Sequence, residues 1–396
     1  MSARESSLRI VVAGLVGAYP VGGVAWDYLQ YPVGLARLGH DVIYHEDTCI
    51  WPFDPRQNQS VETASYSADF LAGFFKRYAP ELADRWHYRH LSSESFGMSH
   101  SQFLSYARSA DLFLNVSAAN PIPADLAPAC ITAFLDTDPG YNQIVLSERP
   151  EWSANVELWF QDFRAHTHHL TYAENISQAD CLVPQLGVRW IRTRMPIVSS
   201  FWNDLPEAAE GTPWSTVMTW SDFGRRLVFG GREYGSKSME FNRIRSLPSK
   251  TSSAVSIAIG GAAPTEELLK DGWRVLDGPA ATLTPQKYRD FLAESRGEVS
   301  TAKNVYVAMN TGWFSCRTAC YLAAGRPAVV QNTGFTKYIP TGMGLLAFDT
   351  VEEASAGISA VEANYHAHAT AAREVAAEYF DSAKVLDQML YAIFGK

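Results

Sequence analysis

The feature that most narrows the fold is a repeated alternation of short apolar runs with helical stretches. "LRIVVAG", near the amino terminus, is apolar and β-branched through its centre, the pattern of a strand covered on both faces in a parallel sheet. "WDYLQYPVGLARLGH" follows with helical character, interrupted at Pro32, and "DVIYHED" is a second strand ending in acids. A strand–helix–strand opening of this kind predicts a doubly wound α/β domain, which "DLFLNVS" and "ACITAFLD" extend. At "NDLPEAAEGTPW" the pattern lapses into acids, prolines and a glycine, as in an interdomain linker. It then starts again. "STVMTW", "AVSIAI", "WRVLDG" and "PAVVQN" read as strands, and "PTEELLKD", "TPQKYRDFLAES" and "CRTACYLAAG" as helices. A length of 396 residues suits two such domains.

Composition excludes several classes. Hydrophobic residues at 47% and charged residues at 19% are the balance of a soluble globular protein. A formal net charge of −9 argues against nucleic acid as the main ligand, because phosphate backbones need clustered Lys and Arg. The polar start "MSARESS" carries no secretory signal, and the first apolar run is too broken by glycine to span a membrane. Five scattered cysteines suggest a reducing cytoplasm. Cys316 and Cys320 are helix neighbours, but two thiols without further ligands make no zinc site.

The most informative stretch is "TGWFSCRTACYLAAGRPAVVQNTGF", residues 311–335. Ser315 suits an N-cap, Gly325 a helix end, "RPAVVQ" a buried strand and "NTGF" a turn at its carboxyl end. The amino end of such a helix offers unpaired N–H groups and a positive dipole to a diphosphate. Arg317 and Cys316 lie in its first turn, with Thr333 and Gly334 expected to close over from the next loop. An ordinary αβ unit is the competing reading.

"YLAAGRPAVVQNTGF" resembles the donor-binding segment of glycosyltransferases of the GT-B fold. The resemblance implies an α/β architecture of two Rossmann-like domains facing a cleft, with a C-terminal helix crossing back to the first. The predicted division is then 1–208 plus helix 376–396 on the acceptor side, and 209–375 for the nucleotide sugar. "GREYGSKSMEF" is similar to the loop that places a basic residue on the phosphates in such enzymes, which nominates Lys237 with Arg232 behind it. "RGEVSTAKN" adds Glu298, Ser300 and Lys303 to the same crevice. The sequence departs from many retaining members, which carry a pair of glutamates around the helix; Gly312 and Cys320 stand at those places. That favours inversion. The implied donor is a UDP- or dTDP-type nucleotide sugar, with no metal cofactor, and the acceptor a small molecule, lipid or glycan.

In the first half, Gly14, Gly17, Gly22 and Gly23 form a long loop whose spacing does not fit the dinucleotide fingerprint, although Glu46 and Asp47 would suit a ribose. Such a loop resembles the GT-B case, where it projects towards the reacting sugar, so Gly22, Gly23 and Trp26 are assigned to the cleft. Asp27, just beyond, is the candidate general base; its rival is His169, in "RAHTHHLTYAEN". Aromatic residues between 51 and 110 read as core or as an apolar acceptor pocket. Asp136 and Asp138, in "FLDTDPG", match the Asp-x-Asp metal motif of the other sugar-transferase fold, but here they are expected at a cleft edge without metal. A metal-dependent transferase, an NAD(P)-dependent oxidoreductase and a non-catalytic nucleotide- or sugar-binding protein are the alternatives to a GT-B-like transferase.

Overall fold

A computed structural model describes residues 7–151, 156–220 and 227–395. The first half is an eight-stranded sheet of β1 (Arg9–Ala13), β2 (Asp41–Glu46), β3 (Trp86–Arg89), β4 (Ser95–Gly97), β5 (Leu112–Val116), β6 (Ile131–Asp136), β7 (His168–Thr171) and β8 (Trp190–Arg192), in the order 8-7-6-5-1-2-3-4. All neighbours are parallel except the edge pair β3–β4. The order reverses between β1 and β5, which opens a crevice at their carboxyl ends. β1 is a strand because Ile10, Val11, Val12 and Ala13 are all fully buried, so alternation has no place in it.

The second half is a six-stranded, all-parallel sheet of β9 (Trp214–Thr219), β10 (Val255–Gly260), β11 (Arg274–Asp277), β12 (Glu298–Ser300), β13 (Ala328–Gln331) and β14 (Leu345–Phe348), ordered 11-10-9-12-13-14. Its crevice lies between β9 and β12. Between Arg192 and Trp214 the chain adds no strand to either sheet. β12 escapes the hydrophobic pattern because "EVS" is short and polar, although all three residues are buried.

The helices that matter for the site are α1 (Gly22–Tyr28), α2 (Gln30–Arg37), α3 (Lys237–Ile244), α4 (Pro285–Ala293), α5 (Asn304–Ala308), α6 (Cys316–Ala323), α7 (Tyr365–Tyr379) and α8 (Ser382–Phe394). The helical run anticipated around Pro32 is two helices, α1 and α2. They break at Leu29, so Pro32 falls in the first turn of α2, where its missing N–H costs no internal hydrogen bond. α8 crosses back to the first half. The Ile197 amide donates to the Phe380 carbonyl at 2.7 Å, the Ser382 amide donates to the Ile197 carbonyl at 2.9 Å, and Leu386 packs directly over Gly34 of α2. Among the described residues no helix is long and apolar enough to cross a membrane.

The halves are joined by a seam on α1. The Gly22 amide donates to the Thr282 carbonyl at 2.8 Å, and a Cβ at Gly22 would lie 2.3 Å from the Thr284 carbonyl oxygen, so only glycine permits this approach. Trp26, placed in the cleft by the sequence reading, is instead core: it is 1% exposed, packs against Phe74, Tyr78, Phe201 and Trp202, and its Nε1 donates to the Pro285 carbonyl at 3.0 Å. Its ring is the right size and polarity to fill a dry aromatic cage with one acceptor at the edge. Trp26→Ala should therefore lower unfolding stability by about 3–5 kcal/mol in denaturant titration; a loss under about 1 kcal/mol would contradict a seam held by this ring.

Candidate functional site

A cavity of about 660 Å³ lies between the two sheets. Its walls come from the carboxyl ends of β9 and β10, from α1, from the loop after β6, and from the amino end of α6. Both crevices therefore open into one space, the arrangement expected for a ligand shared between two doubly wound halves.

α6 points its amino end at this space. Ser315 is its N-cap, in an extended conformation without a side-chain cap bond, and Ser315, Cys316 and Arg317 all line the cavity. Arg317 is fixed from behind. Its Nε donates to Glu298 Oε1 at 2.6 Å and its Nη1 to the Val217 carbonyl at 2.7 Å. Glu298 is wholly buried on β12 and does not line the cavity, so it orients Arg317 rather than meeting a ligand. This revises its assignment as a donor contact. Lys237, at the start of α3, lines the same wall.

Opposite, Asp27 opens into the cavity from α1. The cleft walls that surround it push its carboxyl up to about 6, against the opposing pull of the Cys316 thiol, Lys237 and Arg317. A carboxylate, two cations and a helix amino end thus face one another across the interdomain space. The Cys316 thiol is held protonated by its contact with Cys320, by burial and by Asp27. Gly23 lines the cavity near Asp27, whereas Gly22 is spent on the seam.

The loop after β6 separates the two aspartates that the sequence pairs. Asp136 is fully buried and accepts from Gln143 Nε2 (2.6 Å), Asn142 Nδ2 (2.7 Å) and Thr171 Oγ1 (2.8 Å); burial raises its carboxyl to about 6. It organises the loop and does not reach the cleft, a correction to its expected place. Asp138 does line the cavity, where it accepts from Lys303 Nζ at 2.7 Å and from the Tyr306 hydroxyl. Among the described residues no group of three or more His, Cys, Asp or Glu side chains is placed to hold a metal ion.

Other assignments also change. His169 is 6% exposed among Phe134, Phe163 and Trp190, its Nε2 lies 2.8 Å from the Phe163 carbonyl, and burial lowers its pKa; it is a core histidine outside the cleft. Arg232 is exposed in a hairpin (Leu227–Phe229 with Arg232–Tyr234) and is not part of the cavity wall. Thr333 is buried with its hydroxyl on the Trp313 carbonyl, and Gly334 (φ +94°) packs where a Cβ would strike Asn310 and Asn175; both shape the floor behind α6 and neither closes over the cavity. Glu46 does not await a ribose: its carboxylate accepts from the Gly17 amide (2.7 and 2.8 Å) and the Ala18 amide (3.1 Å), and burial raises it to about 7. The glycine loop is already filled by the protein's own carboxyl group.

Sequence reasoning missed the aromatic and hydroxyl part of the wall. Tyr28, Tyr288, Tyr306 and Trp313 line the cavity, and the Tyr28 hydroxyl donates to Ser117 Oγ at 2.7 Å, which in turn contacts Thr137 Oγ1 at 2.5 Å. Ser117 and Ala118 at the end of β5 hold positive φ (58° and 51°), backbone strain that sits beside the cavity. Trp313 was the readable one, since it stands between the glycine turn and the N-cap of α6.

No protein-family model matches the chain, and no curated protein matches it in sequence. Solved structures match it over nearly its whole length. AviGT4, a glycosyltransferase involved in avilamycin A biosynthesis, is 11% identical with a TM-score of 0.53, over 98% of this chain and 99% of that one. HepE of Anabaena, solved in complex with UDP and glucose, is 10% identical with a TM-score of 0.54, over 98% and 100%. A sucrose-phosphate synthase from Thermosynechococcus elongatus is 11% identical with a TM-score of 0.51, over 98% and 99%. With its two doubly wound halves, the cleft between them and the returning terminal helix, the chain has the GT-B glycosyltransferase fold.

Proposed function

We propose that the protein is a metal-independent, inverting glycosyltransferase that moves a sugar from a UDP- or dTDP-type donor to an acceptor hydroxyl. The observation that carries this reading is the meeting of the α6 amino end, Arg317 and Lys237 with Asp27 across one cavity. In the reaction, Asp27 takes the proton of the acceptor hydroxyl while that oxygen attacks the anomeric carbon from the face opposite the diphosphate. The bond from the anomeric carbon to the phosphate oxygen breaks, and its electron pair leaves on the diphosphate. The α6 amides, Arg317 and Lys237 hold the charge that develops there. HepE, solved with UDP and glucose, supports a uridine nucleotide as the first donor to test. The carboxyl ends of β9 and β10 remain for the nucleoside, and the five free thiols support a cytoplasmic setting.

Asp27 must be ionised to act. Below about pH 6 it is protonated and cannot accept, so kcat/KM should climb roughly tenfold per pH unit up to about 6 and then level off. Asp27→Asn should remove that limb and lower kcat about 10²–10⁴-fold with little change in donor KM; an unchanged profile would exclude Asp27 as the base.

Arg317 cannot be tested by simple truncation, because the buried Glu298 would lose its partner. In the double variant Glu298→Gln/Arg317→Met, UDP affinity measured by calorimetry should fall about tenfold or more, while uridine binds as before. Equal losses for both ligands would remove Arg317 from the phosphate site. Turnover should also be unaffected by EDTA; its abolition, restored by Mg²⁺, would overturn metal independence.

A further inference from the structure

Beside the Lys237 wall of the cavity, where the Asn304 amide donates to the Ser236 carbonyl, stands a second polar cluster, built from both halves of the protein. Asp138 comes from the loop after β6; Lys303 caps α5, Tyr306 lies within it, and Trp313 precedes α6. All four line the cavity. Lys303 Nζ donates to Asp138 Oδ2 at 2.7 Å, the Tyr306 hydroxyl donates to Oδ1, and the Trp313 Nε1 donates to the carbonyl of Thr137, the residue beside Asp138, at 3.2 Å. The Tyr306 and Trp313 rings lie 4.3 Å apart between centroids. The Asp138 side chain keeps 30% of its surface and Lys303 keeps 16%, so the pair faces the cavity.

We infer that this cluster is the subsite that reads hydroxyl groups of the transferred sugar, with Asp138 as the specificity-determining carboxylate. The inference rests on the glycosyltransferase reading and adds to it where the sugar ring lies. A carboxylate has about four acceptor directions, and here two are taken, leaving capacity for vicinal hydroxyls. An ammonium group and a phenol beside it complement hydroxyl oxygens, and an aromatic face suits the C–H face of a pyranose. A diphosphate has no use for Asp138, whose charge repels it; a neutral polyol does. Because Asp138 belongs to one half and its partners to the other, the subsite is complete only with the halves together, so sugar recognition and cleft closure are coupled.

The test compares nucleotide with nucleotide sugar. UDP, dTDP, GDP and ADP are titrated into the wild-type protein by calorimetry, and the one that binds is compared with its glucose, galactose and N-acetylglucosamine forms. Asp138→Asn and Tyr306→Phe are then measured against the same set. The expected result is a fall of about tenfold or more, in Asp138→Asn, in the ratio of sugar-nucleotide to nucleotide affinity for at least one sugar. Tyr306→Phe should lower the same ratio by a smaller factor. Persistent nucleotide binding shows that the variants are folded. A ratio unchanged for all three sugars, with nucleotide binding intact, would overturn the subsite while leaving the transferase reading standing. Failure of the wild type to bind any of the four diphosphates would remove both.

Discussion

The geometry of the cleft depends on how closely α1 approaches the second half. Gly22 gives the backbone of α1 direct access to the Thr282–Thr284 turn, and Trp26 fills the aromatic cage behind it while reaching the Pro285 carbonyl. One continuous apolar cluster then runs from the first sheet through Trp26 and Trp202 to Tyr288, Phe291 and Tyr321 of the second half. With this seam on one side and the returning α8 on the other, Asp27 is carried on a rigid element rather than on a loop. The general base proposed for Asp27 would need that support to meet an acceptor hydroxyl.

Two of the cleft cations are held by carboxylates of the protein itself. Glu298 stands behind Arg317, and Asp138 stands across the cavity from Lys303. The two compensations differ in kind. Glu298 is buried in the same half and fixes the guanidinium permanently, whereas Asp138 bridges the halves and shares the cavity with whatever enters it. The first domain has its own potential anion nest in the loop after β1, but Glu46 occupies it. The amino end of α6, with Arg317 and Lys237, lines the cavity instead, so the two halves present different chemistry on similar scaffolds.

Much of the architecture was legible because most buried parallel strands are centred on apolar and β-branched residues: β1, β2, β5, β6, β9, β10 and β13 read this way even where a polar residue interrupts the run, as Asn115 does in β5. β12 does not, since it is three residues long and carries a glutamate whose partner lies nineteen positions away in sequence. The α6 unit was readable from its cap, its glycine end and the strand that follows. Side-chain direction was not. Asp136 and Asp138 look equivalent in sequence, yet they occupy a buried loop network and an open cavity; alternation along an extended segment says nothing once the strand has ended at Asp136. His169 looks polar and available, yet the aromatic residues that enclose it come from three separate segments. His368, on α7, is likewise 5% exposed and accepts the Gly344 amide at 3.2 Å.

Where a pyrophosphate rests in the cleft is observed most directly by a crystal structure with UDP bound. The prediction is diphosphate oxygens within hydrogen-bonding distance of the Ser315–Arg317 amides and the Arg317 side chain, with Asp27 across the gap and the uridine running towards the ends of β9 and β10. Diphosphate found instead against the Gly14–Gly17 loop, or joined to Asp138 through a metal ion, would contradict it.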